Sequence, residues 1–174
     1  MTCIVAIAYD DRVVMGADSA GVSGYDLQIR ADHKIFINNK FMIGYTGSFR
    51  GGQLLQYSFT PPAKRAMHSL HQYMVTDFVD AIRSCFKDGG FLTQKDGIES
   101  CSFSCIIAHQ NELYILEEDF QIGRSVQHYA AVGCGAPLAL GAFYAGGDAQ
   151  TALEAAEMWS AGVRRPFNTK ALYM

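Results

Sequence analysis

The run Thr2-Cys3-Ile4-Val5-Ala6-Ile7-Ala8, then Asp10-Asp11, then Val13-Val14-Met15-Gly16-Ala17-Asp18-Ser19, decides how this chain is read. Two short apolar runs flank a pair of aspartates, the pattern of two strands joined by a turn. With Met1 removed, the mature N-terminus would be a threonine at the start of a strand.

Outward from this hairpin, residues 19–32 turn polar and glycine-containing. Lys34 to Ile37, the turn Asn38-Asn39 and Phe41 to Tyr45 then predict a second hairpin, closed by Thr46-Gly47-Ser48. Gly51 to Phe59 reads as a short helix ended by Pro61-Pro62. A better helix follows, with Leu70, Met74, Phe78, Ile82 and Phe86 on one buried face before Gly89-Gly90. Ser102 to Ala108, the turn Asn111-Glu112, Leu113 to Leu116 and His128 to Val132 supply the strands of a second sheet half. The turn Gly133-Cys134-Gly135 leads into a helix over Ala136 to Ala145. Asp148 caps a last helix whose core-facing residues are Ala152, Leu153, Ala156, Trp159 and Val163, with Pro166 at or just beyond its end. Hairpins, helices, hairpins and helices in that order predict an α+β layered domain in preference to alternating βαβ units.

The chain has 174 residues, 49% hydrophobic and 18% charged, which suits a single domain over 1–174 with a substantial core. A net charge of -3 with scattered Lys and Arg provides no footprint for nucleic acid or an anionic membrane. There is no apolar stretch of spanning length and no signal-peptide layout. Cys3, Cys85, Cys101, Cys105 and Cys134 make an odd set, read as reduced thiols, so the expected location is cytoplasmic.

Thr2-Cys3-Ile4-Val5-Ala6, Val14 to Ser19, Arg30 to Lys34, Gly44-Tyr45-Thr46-Gly47 and Val132-Gly133-Cys134-Gly135 together resemble the proteasome β-subunit family, in order and spacing, over nearly the whole chain. The short length resembles most the HslV-type bacterial peptidase subunits. The resemblance implies the four-layer αββα sandwich of N-terminal nucleophile hydrolases. It also implies a homo-oligomer of stacked rings, hexameric or heptameric, enclosing a chamber for polypeptide substrates and fed by an ATPase unfoldase. No cofactor or metal is expected.

A threonine hydroxyl needs a base within hydrogen-bond reach. A free α-amine, with an ordinary pKa of about 8 against about 10.4 for lysine, is neutral to a useful extent near pH 7. On this reading Thr2 supplies both the nucleophile and, once Met1 is gone, the base. Lys34 is the cation that lowers the pKa of both groups, and Asp18 orients and balances Lys34. Gly47 matches the family's oxyanion donor, its missing side chain letting the backbone N–H approach a scissile carbonyl. Cys134 stands where the family usually has a serine that helps hold the amine, and a thiol is the weaker hydrogen-bonding group. Many proteasome β-subunits carry an acid after the last core helix; this chain has Val163-Arg164-Arg165-Pro166-Phe167 there, as HslV-type subunits also lack it.

Other readings stand beside the threonine peptidase: a catalytically silent proteasome-fold protein used in assembly or scaffolding, and a small-substrate amidohydrolase with the same nucleophile. Taken alone, Asp18 and Lys34 are an ion pair at a sheet end, and Gly47 and Gly133 are turn residues. Cys101, Cys105 and His109 lack a second ligand pair at zinc spacing, and buried free cysteines explain them better. His68 and His71 read as a solvated helix face.

Overall fold

The computed structural model describes residues 1–173. In chain order, β1 (Cys3–Ala8) and β2 (Arg12–Ala17) form the first hairpin, β3 (Ala20–Ser23) and β4 (Asp26–Ile29) a second, and β5 (Ile35–Asn38) and β6 (Phe41–Gly47) a third. Helix α1 (Phe49–Tyr57) follows, then α2 (Leu70–Tyr73), a π-helical segment (Met74–Phe78) and α3 (Val79–Asp88), which run on as one rod. Next come β7 (Thr93–Lys95), β8 (Ile98–Ser100), β9 (Phe103–His109), β10 (Glu112–Leu116), β11 (Ile122–Arg124) and β12 (Tyr129–Gly133). Helices α4 (Ala136–Tyr144) and α5 (Ala149–Trp159) and strand β13 (Asn168–Tyr173) complete the chain.

Two sheets stack face to face, one in the order β12-β1-β2-β13 and the other β11-β10-β9-β6-β5. Ile4, Ala6, Met15 and Val132 of the first sheet meet Ile35, Met42, Ile106 and Ala108 of the second in a dry layer. On the outer face of the second sheet, Ile43, Tyr45, Phe103 and Ile107 pack under Leu55, Phe78, Ile82 and Phe86 of α1, the π segment and α3. On the outer face of the first sheet, Cys3, Val5 and Ala131 pack against Ala139, Phe143, Ala152, Leu153 and Ala156 of α4 and α5. The result is four layers, αββα, the central strands alternating between the inter-sheet core and a helical layer because their side chains repeat with period two.

The long helical rod shows why its apolar residues recur at strict four-residue steps. In an α-helix a step of four advances about 400°, so such a row drifts about 40° per step and winds off the face. The wider π turn over Met74–Phe78 takes up part of that drift. Met74, Phe78, Ile82 and Phe86 are all buried, and Phe78 meets Phe41, Phe59 and Tyr73 at ring separations of 4.8, 5.3 and 5.8 Å.

Several expectations need correction. Strand β12 pairs with β1, not with the second sheet. Residues 19–32 hold the hairpin β3–β4, whose second strand is exposed along its length, so burial left no alternation to read. Short β7, β8 and β11 and the edge strand β13 were unmarked for the same reason. Asp148 does cap α5, accepting from the Thr151 N–H. Trp159, however, is 77% exposed. The chain turns at Ser160, where the Val163 N–H bonds the Ser160 carbonyl, and Val163 is fully buried in the helical layer. His71 is exposed on α2, as expected, with its ring over Tyr114, whereas His68 lies before α2 and is largely covered, with Nδ1 3.2 Å from Asp77 Oδ2. No helix among the described residues is long and apolar enough to cross a membrane.

Candidate active site

Antiparallel pairing brings the start of β1 beside the end of β2, so Ile4 faces Ala17 and the next residues out, Thr2 and Asp18, share one end of the sheet. Cys3 faces Gly133 on the other side, which places Cys134 at the same end. The start of β5 brings Lys34 to it from the second sheet, beneath the inter-sheet core. Four positions spread over 132 residues of sequence thus meet, and Thr2, Asp18 and Lys34 are all buried.

Lys34 Nζ makes three hydrogen bonds: to Thr2 Oγ1 at 2.6 Å, Asp18 Oδ1 at 2.9 Å and the Ala20 carbonyl at 2.7 Å. An ammonium has three donors and no acceptor, so this one is saturated. Asp18 is equally complete: Oδ1 accepts from the Cys3 N–H at 3.0 Å, and Oδ2 from the Ala20 N–H at 2.9 Å and the Arg164 N–H at 3.3 Å. A buried pair is tolerated when its remaining valences are filled in this way. Burial pulls the Lys34 pKa below its ordinary 10.5, opposed by the charge and hydrogen bond of Asp18. The neighbouring Cys3 thiol is pushed up to about 12, first by burial and then by Asp18.

Cys134 closes the other side. Its sulfur accepts from the Thr2 N–H at 3.3 Å and from the Ser160 hydroxyl at 3.3 Å, and its S–H donates to the Thr2 carbonyl at 3.4 Å. Gly133, at φ +97°, has no room for a side chain against the Thr2 carbonyl, so the turn carrying Cys134 can press onto the strand. Gly47 ends β6 at φ +90°, and a Cβ there would collide with the Ser102 carbonyl. Its neighbour Thr46 directs a hydroxyl toward Gly133, so Gly47 belongs to the same end of the sandwich. Met1 is half exposed and packs over Gly162 beside Cys134.

Three participants escaped the sequence reading. Ser160 has no local signal beyond ending a helix. The Arg164 N–H and the Ala20 carbonyl act through the backbone, to which side-chain identity gives no clue.

The same architecture occurs in solved structures. BPH from Thiobacillus denitrificans superposes with TM-score 0.80 at 20% identity, covering 98% of this chain and 97% of that one. The chain has the HslV/proteasome-subunit fold. BPH in complex with epoxomicin matches at TM-score 0.81 and 19% identity, over 98% of both chains. The eukaryotic HslV from Trypanosoma brucei matches at TM-score 0.67 and 17% identity over 99% of both chains. Anbu, the ancestral beta-subunit from Yersinia bercovieri, matches at TM-score 0.66 and 10% identity, over 98% of this chain and 81% of its own. No family model and no curated protein matches by sequence.

Proposed function

We propose that this protein is a threonine-type peptidase subunit, hydrolysing peptide bonds through Thr2 after removal of Met1. The observation that carries the reading is the buried hydrogen bond from Lys34 Nζ to Thr2 Oγ1. A cation held on a hydroxyl oxygen stabilises the alkoxide character that develops in nucleophilic attack. Lys34 cannot also be the base while charged, because an ammonium nitrogen has no lone pair to take a proton.

That leaves the Thr2 nitrogen. With Met1 attached it is an amide without basicity; cutting the Met1–Thr2 bond turns it into an amine. Thr2 Oγ1 then attacks the scissile carbonyl carbon and its proton passes to the amine, which delivers it to the leaving amine of the substrate. An ester to Thr2 remains. Water, losing its proton to the same amine, hydrolyses that ester and restores the hydroxyl. Gly47 fills the role of oxyanion donor, and Cys134, braced by Ser160, holds the Thr2 nitrogen in place.

The subunit assembles into a homo-oligomeric ring with an enclosed chamber, served by an ATPase unfoldase in the cytoplasm. Exposed Leu140, Tyr144, Met158 and Trp159 on α4 and α5, and Tyr25, Leu27 and Ile29 around β4, support burial against further copies.

Intact mass of the purified chain together with an electrophilic peptide probe tests the proposal. A mass lacking Met1, probe attached to Thr2, and no peptide cleavage by Thr2→Ala are the expected results. Retained Met1 with unlabelled Thr2 would instead identify a silent scaffold, and cleavage by Thr2→Ala at the wild-type rate would end the peptidase reading.

A further inference from the structure

The hairpin turns at the opposite end of the sandwich enclose a second recess. Strand β13 runs antiparallel to β2 with Asn168 beside Ala17 and Leu172 beside Val13, so the whole length of β2 separates this end from Asp18 and Thr2. A cavity of about 490 Å³ lies here, walled by Val13, Leu172 and Tyr173 and by the two turns that carry Asn39-Lys40 and Gln110-Asn111. A second, of about 470 Å³, adjoins it over Phe41, Pro61, Pro62 and Tyr73 and is bordered by Lys64. Asn39, Lys40, His109 and Gln110 line both, so the two form one continuous trough.

Its chemistry is one-sided. The floor is aliphatic and aromatic, Lys40 lines both cavities and Lys64 the second, and among the described residues no aspartate or glutamate lines either. Among the described residues neither lysine is in an ion pair; Lys64 Nζ rests on the backbone carbonyls of Arg65 and His68. His109 stacks on Phe41 at 4.1 Å and bonds the Lys40 carbonyl through Nδ1 at 2.9 Å, which pins the turn carrying Lys40. Burial lowers the His109 pKa, so near neutral pH it is an uncharged ring continuing the aromatic floor. Apolar pockets with a few placed polar groups are the ordinary form of a small-molecule site, and these volumes fall within the usual range of about 300–1,000 Å³.

The geometry points to a binding site, remote from Thr2, for an apolar monocarboxylate: a small acid whose hydrocarbon body lies along Leu172, Tyr173, Pro61 and Pro62 and whose carboxylate meets Lys40 and Lys64. A lysine–carboxylate contact of this kind discriminates because the amide counterpart offers the ammonium groups a neutral carbonyl in place of a charged acceptor while the apolar contact is unchanged.

Calorimetric titration of the intact protein with octanoate and, separately, with octanamide reads this on the wild-type chain without any variant. Octanoate is expected to bind about tenfold or more tightly than octanamide. Lys40→Gln with Lys64→Gln should remove that preference while leaving octanamide binding as it was. Methyl resonances of Val13 and Leu172 should shift on titration. Equal binding of the two ligands, no binding of octanoate, a preference that survives in the double variant, or shifts confined to the Thr2 end would each overturn the assignment.

Discussion

Lys34 Nζ sits 2.6 Å from Thr2 Oγ1 while its remaining protons go to Asp18 and the Ala20 carbonyl. The lysine is thereby aimed, charged and unable to rotate. Lys34→Met keeps the length of the side chain and removes the charge. It should lower kcat by about a thousandfold or more in a peptide-cleavage assay, with a much smaller effect on KM, because the interaction develops in the transition state.

Because burial lowers the Lys34 pKa, its ammonium is lost at a pH below the ordinary 10.5. The processed enzyme should show a bell-shaped kcat/KM profile. The acid limb follows the Thr2 amine, whose ordinary pKa of about 8 is drawn down by the adjacent cation. The alkaline limb follows Lys34 and falls below pH 10.5. An alkaline limb at or above that value would contradict the role given to the lysine.

Stability at high pH has two opposed contributions from this end of the sheet. Cys3 has its folded pKa raised from 9.0 to about 12, so the folded chain keeps a proton that the unfolded chain loses. Its contribution is complete below pH 9.0 and is lost as the pH rises toward about 12, at up to about 1.4 kcal/mol per pH unit. Lys34, with its folded pKa lowered, acts the other way: the unfolded state binds the extra proton, and stability rises with pH across the window ending at 10.5. Urea midpoints followed from pH 8 to 11 should fall less steeply in Cys3→Ala than in the wild type.

Cys134 accepts from the Thr2 nitrogen and is braced by Ser160, yet a thiol is a weak partner. Cys134→Ser should raise kcat by up to about tenfold, and Cys134→Val should lower it by about tenfold or more, with thermal stability of both near wild type. Equal activity in all three would show that this position does not hold the nitrogen.

Gly47→Ala should destabilise the fold and reduce activity together. A φ of +90° is strained for any other residue, and the new Cβ would meet the Ser102 carbonyl. A cost of about 1–3 kcal/mol is expected, read as a lower urea midpoint.

Phe86→Ala tests the helical layer over the second sheet. Phe86 is fully buried, edge-on to Phe91 and Phe103 at 5.0 and 5.4 Å. Removal should cost about 3–5 kcal/mol in chemical unfolding while leaving the pH profile of the remaining folded enzyme unchanged.

Thr2, Asp18, Lys34 and Cys134 are legible in the sequence as candidates, because each ends or begins a strongly patterned segment and their order and spacing resemble a known family. The first and third hairpins, the rod from Leu70 to Phe86 and the Asp148 cap were legible for a local reason: burial of one face imposes a period, and a helix start requires a side-chain acceptor. Strands β4, β7 and β13 were not, since exposed or edge strands bury too little to impose one. Trp159 misled because its helical position was right while the chain beyond Ser160 delivered Val163 to the core instead.

What the amino-acid sequence determined alone was the set of elements with a buried face and the residue types available at their ends. Tertiary structure decided which edges pair, sending β12 to β1 and so setting Cys134 against the Thr2 nitrogen. It also decided which backbone groups complete the site, since the Ala20 carbonyl and the Arg164 N–H reach Lys34 and Asp18 only through the folding of distant segments. Periodicity is a property of a segment and its own solvent boundary. Pairing and backbone donation depend on the relative placement of several segments, which no single stretch of sequence records.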